Sequence, residues 1–168
     1  MKSKNYFLGL LLLAALLLPG VTWGQVAKVS EYDFDADTVA YASIVGNGGT
    51  AWSATDRANG YTTITMPFAM QYGQTSIGRG ATLYVSSDGY VTTGDATMTG
   101  IVIAPLSTTA GFTGIGANTI YTNVESNKVT VEWRKLKVGN NMVSFQLVLT
   151  NTGAIKFQYG PMTLSTTA

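Results

Sequence analysis

The chain has 168 residues, with ten lysines and arginines against nine aspartates and glutamates, which gives a formal net charge of +1. It contains no histidine and no cysteine, which excludes Ser-His-Asp and Cys-His catalytic sites and zinc sites built from those ligands. Only 11% of the residues are charged and they form no basic patch, so we expect no nucleic acid partner.

The first 24 residues are predicted to be a secretory signal peptide. Lys2 and Lys4 form a short basic segment before the apolar run Phe7 to Leu18. That run is shorter than the roughly 20 residues that span a bilayer, although an uncleaved membrane anchor is the alternative. The small residues Thr22 and Gly24 are suited to cleavage directly after Gly24.

Cleavage would leave one mature domain, residues 25–168. Cleavage removes two of the ten basic residues, which leaves eight basic and nine acidic residues and a net charge of about −1. No second long apolar run follows, so we expect no transmembrane segment after cleavage. The protein is therefore expected to be secreted, extracellular or held at the outer cell surface.

Short apolar segments separated by turn residues follow the signal. The predicted strands are Val26 to Tyr32, Val39 to Val45, Tyr61 to Met66, Phe68 to Tyr72, Thr82 to Val85, Tyr90 to Thr92, Ile101 to Ala104 and Ile120 to Val124. Asp88-Gly89 between two of them is a strong hairpin signal, because both residues tolerate positive φ.

The stretch from Lys128 to Tyr159 predicts three more strands, since apolar and polar residues alternate along it. Trp133, Phe145 and Phe157 fall on its apolar face and are expected to lie in the core. Strands at this spacing, with no helical periodicity after the signal, predict an all-β fold: an antiparallel β-sandwich, jelly-roll-like.

Three sequence stretches resemble a known family: LYVSSDGYVTTG, VTVEWRKLKV and FQLVLTNTGAIKFQYG. They are similar to a β-sandwich module of secreted and cell-surface bacterial proteins that resembles the extracellular nidogen-like domain of animal matrix proteins. The resemblance covers roughly Tyr41 to Gly160 and implies a sandwich that serves adhesion or extracellular binding. The chain stops eight residues after Gly160, where the family usually adds a strand, so it is expected to be a truncated member or a fragment.

Asp33, Asp35 and Asp37 alternate near the start of the mature chain and are a candidate calcium site, the sole cofactor suggested. The alternative is a solvated strand face or loop, because the spacing fails the EF-hand pattern. Asp37-Thr38-Val39 resembles an acceptor sequence for bacterial O-glycosylation, with Thr38 as the modified residue.

Aromatic rings are the best ligand candidates, because flat rings stack on sugar faces and lose little side-chain entropy. Trp52, Tyr61 and Tyr90 are the predicted ligand-binding residues, and Tyr84 is one of several tyrosines that could join them. The competing interpretation places most of these rings in the core, with Trp52 as a plug beneath a loop.

The sequence therefore predicts a non-enzymatic module for adhesion or extracellular binding, with an extracellular glycan or protein as partner. One alternative is a glycoside hydrolase that uses two carboxylates, although the acids show no obvious pairing and Glu132 is expected to form an exposed ion pair with Arg134. Another is a structural subunit that pairs through a sheet edge.

Overall fold

A computed structural model describes residues 40–97, 99–108 and 111–163, all of which belong to one compact unit. The predicted all-β fold is confirmed, because the described chain consists mostly of strands in antiparallel sheets. The elements are β1 (Thr50–Ala51), α1 (Ala54–Asn59), β2 (Tyr61–Thr65), β3 (Met70–Tyr72), β4 (Thr75–Ile77), β5 (Thr82–Ser86), β6 (Val91–Thr92), β7 (Val102–Ile103), β8 (Ile120–Val124), β9 (Lys128–Val138), β10 (Asn141–Thr150) and β11 (Ile155–Tyr159).

The strands form two main sheets and a small hairpin. The five-stranded sheet has the order β1-β8-β9-β10-β11, and the four-stranded sheet has the order β2-β5-β6-β7. Strands β3 and β4 pair separately. The long hairpin of β9 and β10, predicted from the alternation after Lys128, forms the centre of the larger sheet.

The core lies between the two main sheets. Trp133 and Phe145 are fully buried and stack with ring centroids 5.1 Å apart, which confirms their prediction as core residues. The Trp133 indole N–H donates to the Ser86 carbonyl oxygen at 2.8 Å and so joins β9 to the end of β5 in the other sheet. This buried hydrogen bond fixes how the two layers meet.

The predicted hairpin at Asp88-Gly89 is present between β5 and β6. Gly89 has φ +83°, a conformation that side chains with Cβ rarely adopt. A Cβ at this position would also overlap the Leu106 carbonyl oxygen and the Phe112 ring. Glycine is thus required here by conformation and by packing.

The segment from Thr50 to Asn59, for which the sequence predicted no helix or strand, contains β1 and the short helix α1. Ser53 caps the helix: its hydroxyl accepts from the Asp56 N–H, and the Asp56 carboxylate accepts from the Ser53 N–H. Desolvation raises the pKa of Asp56, but the hydrogen bonds from Ser53 and Thr62 and the charge of Arg57 together outweigh it and hold that pKa below its usual value. Gly60 ends the helix in the left-handed conformation.

Two predictions about the sheet edges are wrong. Ala40 to Val45, the described part of the predicted strand from Val39, forms no strand. Phe157 was expected in the core but is 44% exposed, because β11 is the outermost strand of its sheet. Alternation identified the face of Phe157 correctly without revealing that this part of the face is open.

Several predictions fall outside the described residues. They are the signal peptide of residues 1–24, the predicted strand from Val26 to Tyr32, the candidate calcium ligands Asp33, Asp35 and Asp37, and the candidate O-glycosylation site Thr38. Within the described ranges, no helix is long and apolar enough to cross a membrane.

Candidate functional site

Two of the three predicted ligand-binding aromatics lie in the interior. Trp52 is only 5% exposed and packs in the main apolar cluster, and its backbone N–H donates to the Ile120 carbonyl oxygen. Tyr90 is also 5% exposed, and its hydroxyl donates to the Ala96 carbonyl oxygen at 3.0 Å. Buried rings present no flat surface to a ligand, so neither residue is a stacking platform in this conformation.

Tyr61 lies on the outer face of the four-stranded sheet together with Tyr84. Their ring centroids are 5.9 Å apart and their planes are inclined by 51°. The register explains the contact: Tyr84 on β5 pairs with Thr63 on β2, two residues from Tyr61 and on the same face. Both rings remain partly exposed, so they form a paired aromatic surface that is open to solvent.

Hydroxyl side chains surround this ring pair. Thr63, Thr65 and Thr82 are exposed on the same face, and Thr65 is paired with Thr82 across the strands. The surface formed by Tyr61, Thr63, Thr65, Thr82 and Tyr84 is called the tyrosine face below. None of these residues carries a formal charge, and each side chain has a hydroxyl that can both donate and accept a hydrogen bond.

The opposite layer holds a buried carboxylate. Glu132 has no exposed surface and lies on the outer face of the five-stranded sheet, between the inward-facing Val131 and Trp133. The Tyr41 hydroxyl donates to Glu132 Oε1 at 2.5 Å, and the Ile44 N–H donates to Oε2 at 2.8 Å. The Ser43 hydroxyl lies within 2.9 Å of Oε1 and 3.1 Å of Oε2.

The expectation of an exposed Glu132–Arg134 ion pair is therefore wrong. Residues 40–44, called the strap below, cross the outer face of the sheet and cover Glu132. The Gln146 side chain donates to the Ala42 carbonyl oxygen at 2.8 Å and holds the middle of the strap on β10. Burial, the hydrogen bond to Glu132 and the charge of Glu132 together raise the pKa of Tyr41 well above its usual value.

Asp88, Asp95 and Glu125, which a two-carboxylate site could also use, lie in separate turns and loops. Asp88 is in the β5–β6 turn, and Glu125 is in the β8–β9 turn, where it pairs with Lys128 at 3.1 Å. Asp95 follows β6, and hydrogen bonds from the Thr97 side chain and N–H hold the pKa of its carboxyl below the usual value. Among the described residues, no group of three or more metal-ligating side chains could hold a metal ion.

Sequence reasoning found Tyr61 and named Tyr84 without joining them, because their contact depends on strand register. A signal for it exists: Tyr61, Thr63 and Thr65 share one face of β2 by alternation, and Tyr84 occupies the polar face of β5. The strap had no comparable signal, since Tyr41 and Glu132 lie 91 residues apart in the chain.

A scan against protein-family models, a search of curated proteins and a search of solved structures each found no match to this chain.

Proposed function

We propose that this protein is an exported, non-enzymatic β-sandwich module that binds an uncharged extracellular glycan through the tyrosine face. The observation that carries the proposal is the open Tyr61–Tyr84 ring pair, 5.9 Å between centroids, flanked by exposed threonine hydroxyls. Aromatic rings pack against the apolar faces of sugar rings, and hydroxyl groups exchange hydrogen bonds with sugar hydroxyls. The resemblance to nidogen-like modules supports an adhesive role.

The absence of formal charge on the tyrosine face sets the ligand class. An anionic polysaccharide would need basic side chains to compensate its desolvated charges, and the five residues of the face provide none. Neutral glycans place no such demand on the surface. A face formed by neighbouring strands also favours an extended chain or a polymer surface over a small ligand, which needs a concave pocket.

A non-catalytic role is supported by the burial of Glu132 and by the partners of Glu132 and Glu125. Glu132 accepts all its hydrogen bonds from the strap and is sealed from solvent, so it lacks the access that a catalytic acid needs. Glu125 is engaged in an ion pair with Lys128. The hydrogen bonds from the strap and the ion pair with Lys128 give both carboxylates a role in the stability of the fold.

An array of immobilised neutral and anionic glycans tests the proposal, with the mature chain as the probe. We expect signal on neutral glycans and its loss in the Tyr84→Ala variant. Tyr159→Ala is the matched control, because Tyr159 is a 50% exposed aromatic on the other sheet and should leave binding unchanged. Binding to anionic glycans alone, or equal loss in both variants, would reject the tyrosine face as the site.

A structural subunit that pairs through a sheet edge is the second candidate function. Phe157 and Tyr159 are 44% and 50% exposed along the outermost strand of the five-stranded sheet, where another strand could bury them. Pairing between copies of the chain predicts a sedimentation coefficient that rises with protein concentration. A constant monomer value over the micromolar range would remove this candidate.

A further inference from the structure

Strand β2 is the outermost strand of the four-stranded sheet, and among the described strands it pairs with β5 alone. The residues at its two ends show which of its backbone groups this pairing uses. The Met66 N–H donates to the Ala81 carbonyl oxygen at 2.8 Å, and the Ser87 N–H donates to the Gly60 carbonyl oxygen at 2.9 Å. In the observed register, the even-numbered residues of β2 therefore direct their backbone groups toward β5.

The odd-numbered residues of β2 line its outer edge. Antiparallel pairing alternates, so the backbone N–H and C=O groups of Tyr61, Thr63 and Thr65 point away from β5. Thr63 and Thr65 are exposed residues. Pro67 occupies the next odd position and has no N–H, and proline within a sheet is confined to such edges. The edge of β2 therefore offers backbone donors and acceptors to a ligand.

The edge and the tyrosine face are formed by the same three residues of β2. The side chains of Tyr61, Thr63 and Thr65 lie on the outer face of the sheet, and their backbone groups line its rim, so one ligand can contact both. Four residue steps along a strand span about 13 Å, which is longer than a single sugar ring. Neither β2 nor β5 contains a charged residue, so the rim suits the same uncharged ligand as the face.

We propose that a neutral glycan chain lies along β2 and hydrogen-bonds to the outward backbone N–H and C=O groups of Thr63 and Thr65, while its sugar rings pack on Tyr61 and Tyr84. This inference rests on the proposed function and names the backbone groups that complete its site. Each sugar hydroxyl both donates and accepts, so it matches an edge that offers N–H and C=O groups side by side.

The edge also gives the site its selectivity. An apolar ligand packed on the two rings would cover the backbone groups of Thr63 and Thr65 and leave them without hydrogen-bond partners, which is costly once water is excluded. A polymer with hydroxyl groups along its length pairs with them instead. The site therefore selects an extended, uncharged, hydroxyl-bearing chain, and longer oligosaccharides should bind more tightly than single sugars.

Amide hydrogen exchange of the full mature chain, followed by NMR, tests this assignment. The probes are soluble cello-, xylo- and malto-oligosaccharides, which are linear and uncharged, together with any neutral oligosaccharide that the array selects. In the free chain we expect fast exchange at Thr63 and Thr65 and slow exchange at Ile64, whose N–H is directed toward β5. A saturating probe should slow exchange at Thr63 and Thr65 by at least about tenfold and leave Ile64 unchanged.

A proline variant tests the same donor by affinity. Thr63→Pro removes an outward N–H without removing a hydrogen bond between β2 and β5. Thr63→Val is the matched control, because it loses the same side-chain hydroxyl and keeps the N–H. Thr63→Pro should bind the probe about fivefold more weakly than Thr63→Val, which corresponds to one neutral hydrogen bond. Exchange in the wild-type chain decides the question if Thr63→Pro does not fold.

Unchanged exchange at Thr63 and Thr65 in the presence of a bound oligosaccharide would overturn this inference, and so would equal affinities of the two Thr63 variants. The tyrosine face would still be supported in both cases if Tyr84→Ala abolished binding, so the two failures are distinguishable. Slow exchange at Thr63 in the free chain would mean that protein already occupies the edge, and would also overturn the inference. No binding to any uncharged glycan would overturn it together with the proposed function.

Discussion

Replacing Glu132 with glutamine should destabilise the fold far more than its conservative chemistry suggests. The two carboxylate oxygens accept hydrogen bonds from the Tyr41 hydroxyl, the Ser43 hydroxyl and the Ile44 N–H, within a fully buried site. An amide NH2 group cannot accept, so Glu132→Gln leaves Tyr41 or Ile44 without its acceptor.

The magnitude follows from these contacts. A hydrogen bond to a charged group contributes about 1.5–3 kcal/mol, and a buried donor without a partner costs about 1–3 kcal/mol. Removing the buried charge also relieves part of its desolvation, which acts in the opposite direction. The donors are already aligned on both oxygens of Glu132, so we expect the losses to dominate and the free energy of unfolding to fall by about 2–4 kcal/mol.

Urea unfolding at pH 7 measures this change, with Glu125→Gln as the matched control. Glu125 forms an exposed ion pair with Lys128, so its substitution should change the free energy of unfolding by less than about 1 kcal/mol. Combining Glu132→Gln with Tyr41→Phe should be less than additive, because both remove the same hydrogen bond. A Glu132→Gln variant as stable as the wild type would refute the argument that the carboxylate anchors the strap.

Three further perturbations probe other parts of the fold. Gly160→Ala would place a Cβ 2.9 Å from the Tyr41 ring and should lower the free energy of unfolding in urea by about 1–3 kcal/mol. Gly78→Ala, whose Cβ would lie in open space, should change it by less than about 0.5 kcal/mol, and equal effects of the two variants would contradict the contact. The raised pKa of the Tyr41 hydroxyl contributes stability that is fully present below the ordinary tyrosine pKa of about 10 and is lost as pH rises above it. The free energy of unfolding, measured from pH 8 to 11, should therefore fall less steeply in Tyr41→Phe than in the wild type, and parallel curves would count against this linkage. The Trp52 indole N–H is buried without a partner among the described residues, whereas Trp133→Phe loses the hydrogen bond to Ser86 O. Trp52→Phe should therefore lower the stability less than Trp133→Phe, and the reverse order in thermal unfolding would be inconsistent with the observed bonding.

Local patterns predicted the strands and their buried faces well. Alternation around Trp133 and Phe145 reports directly which side chains face the core, and Asp88-Gly89 specifies a tight hairpin through its own conformational preferences. The short helix α1 was missed because a six-residue helix has little periodicity, although Ser53 and Asp56 carry a capping pattern in the sequence.

Contacts between distant segments were beyond local patterns. Alternation places Glu132 opposite the core but does not reveal that the strap covers it. For the same reason Phe157 has the periodicity of a core residue and yet is 44% exposed on the outermost strand of its sheet. The Tyr61–Tyr84 pair depends on the register of β2 against β5, which is set by packing across the whole sheet.

Calorimetric titration of a neutral oligosaccharide selected on the array tests the binding role of the tyrosine face most directly. Each ring should contribute about 1 kcal/mol, so Tyr61→Ala combined with Tyr84→Ala should weaken binding at least about tenfold, and Tyr159→Ala should leave it unchanged. Because the face is uncharged, the dissociation constant should stay constant between low and high salt. Undiminished binding by the double variant, or affinity that falls steeply with salt, would contradict the proposed function.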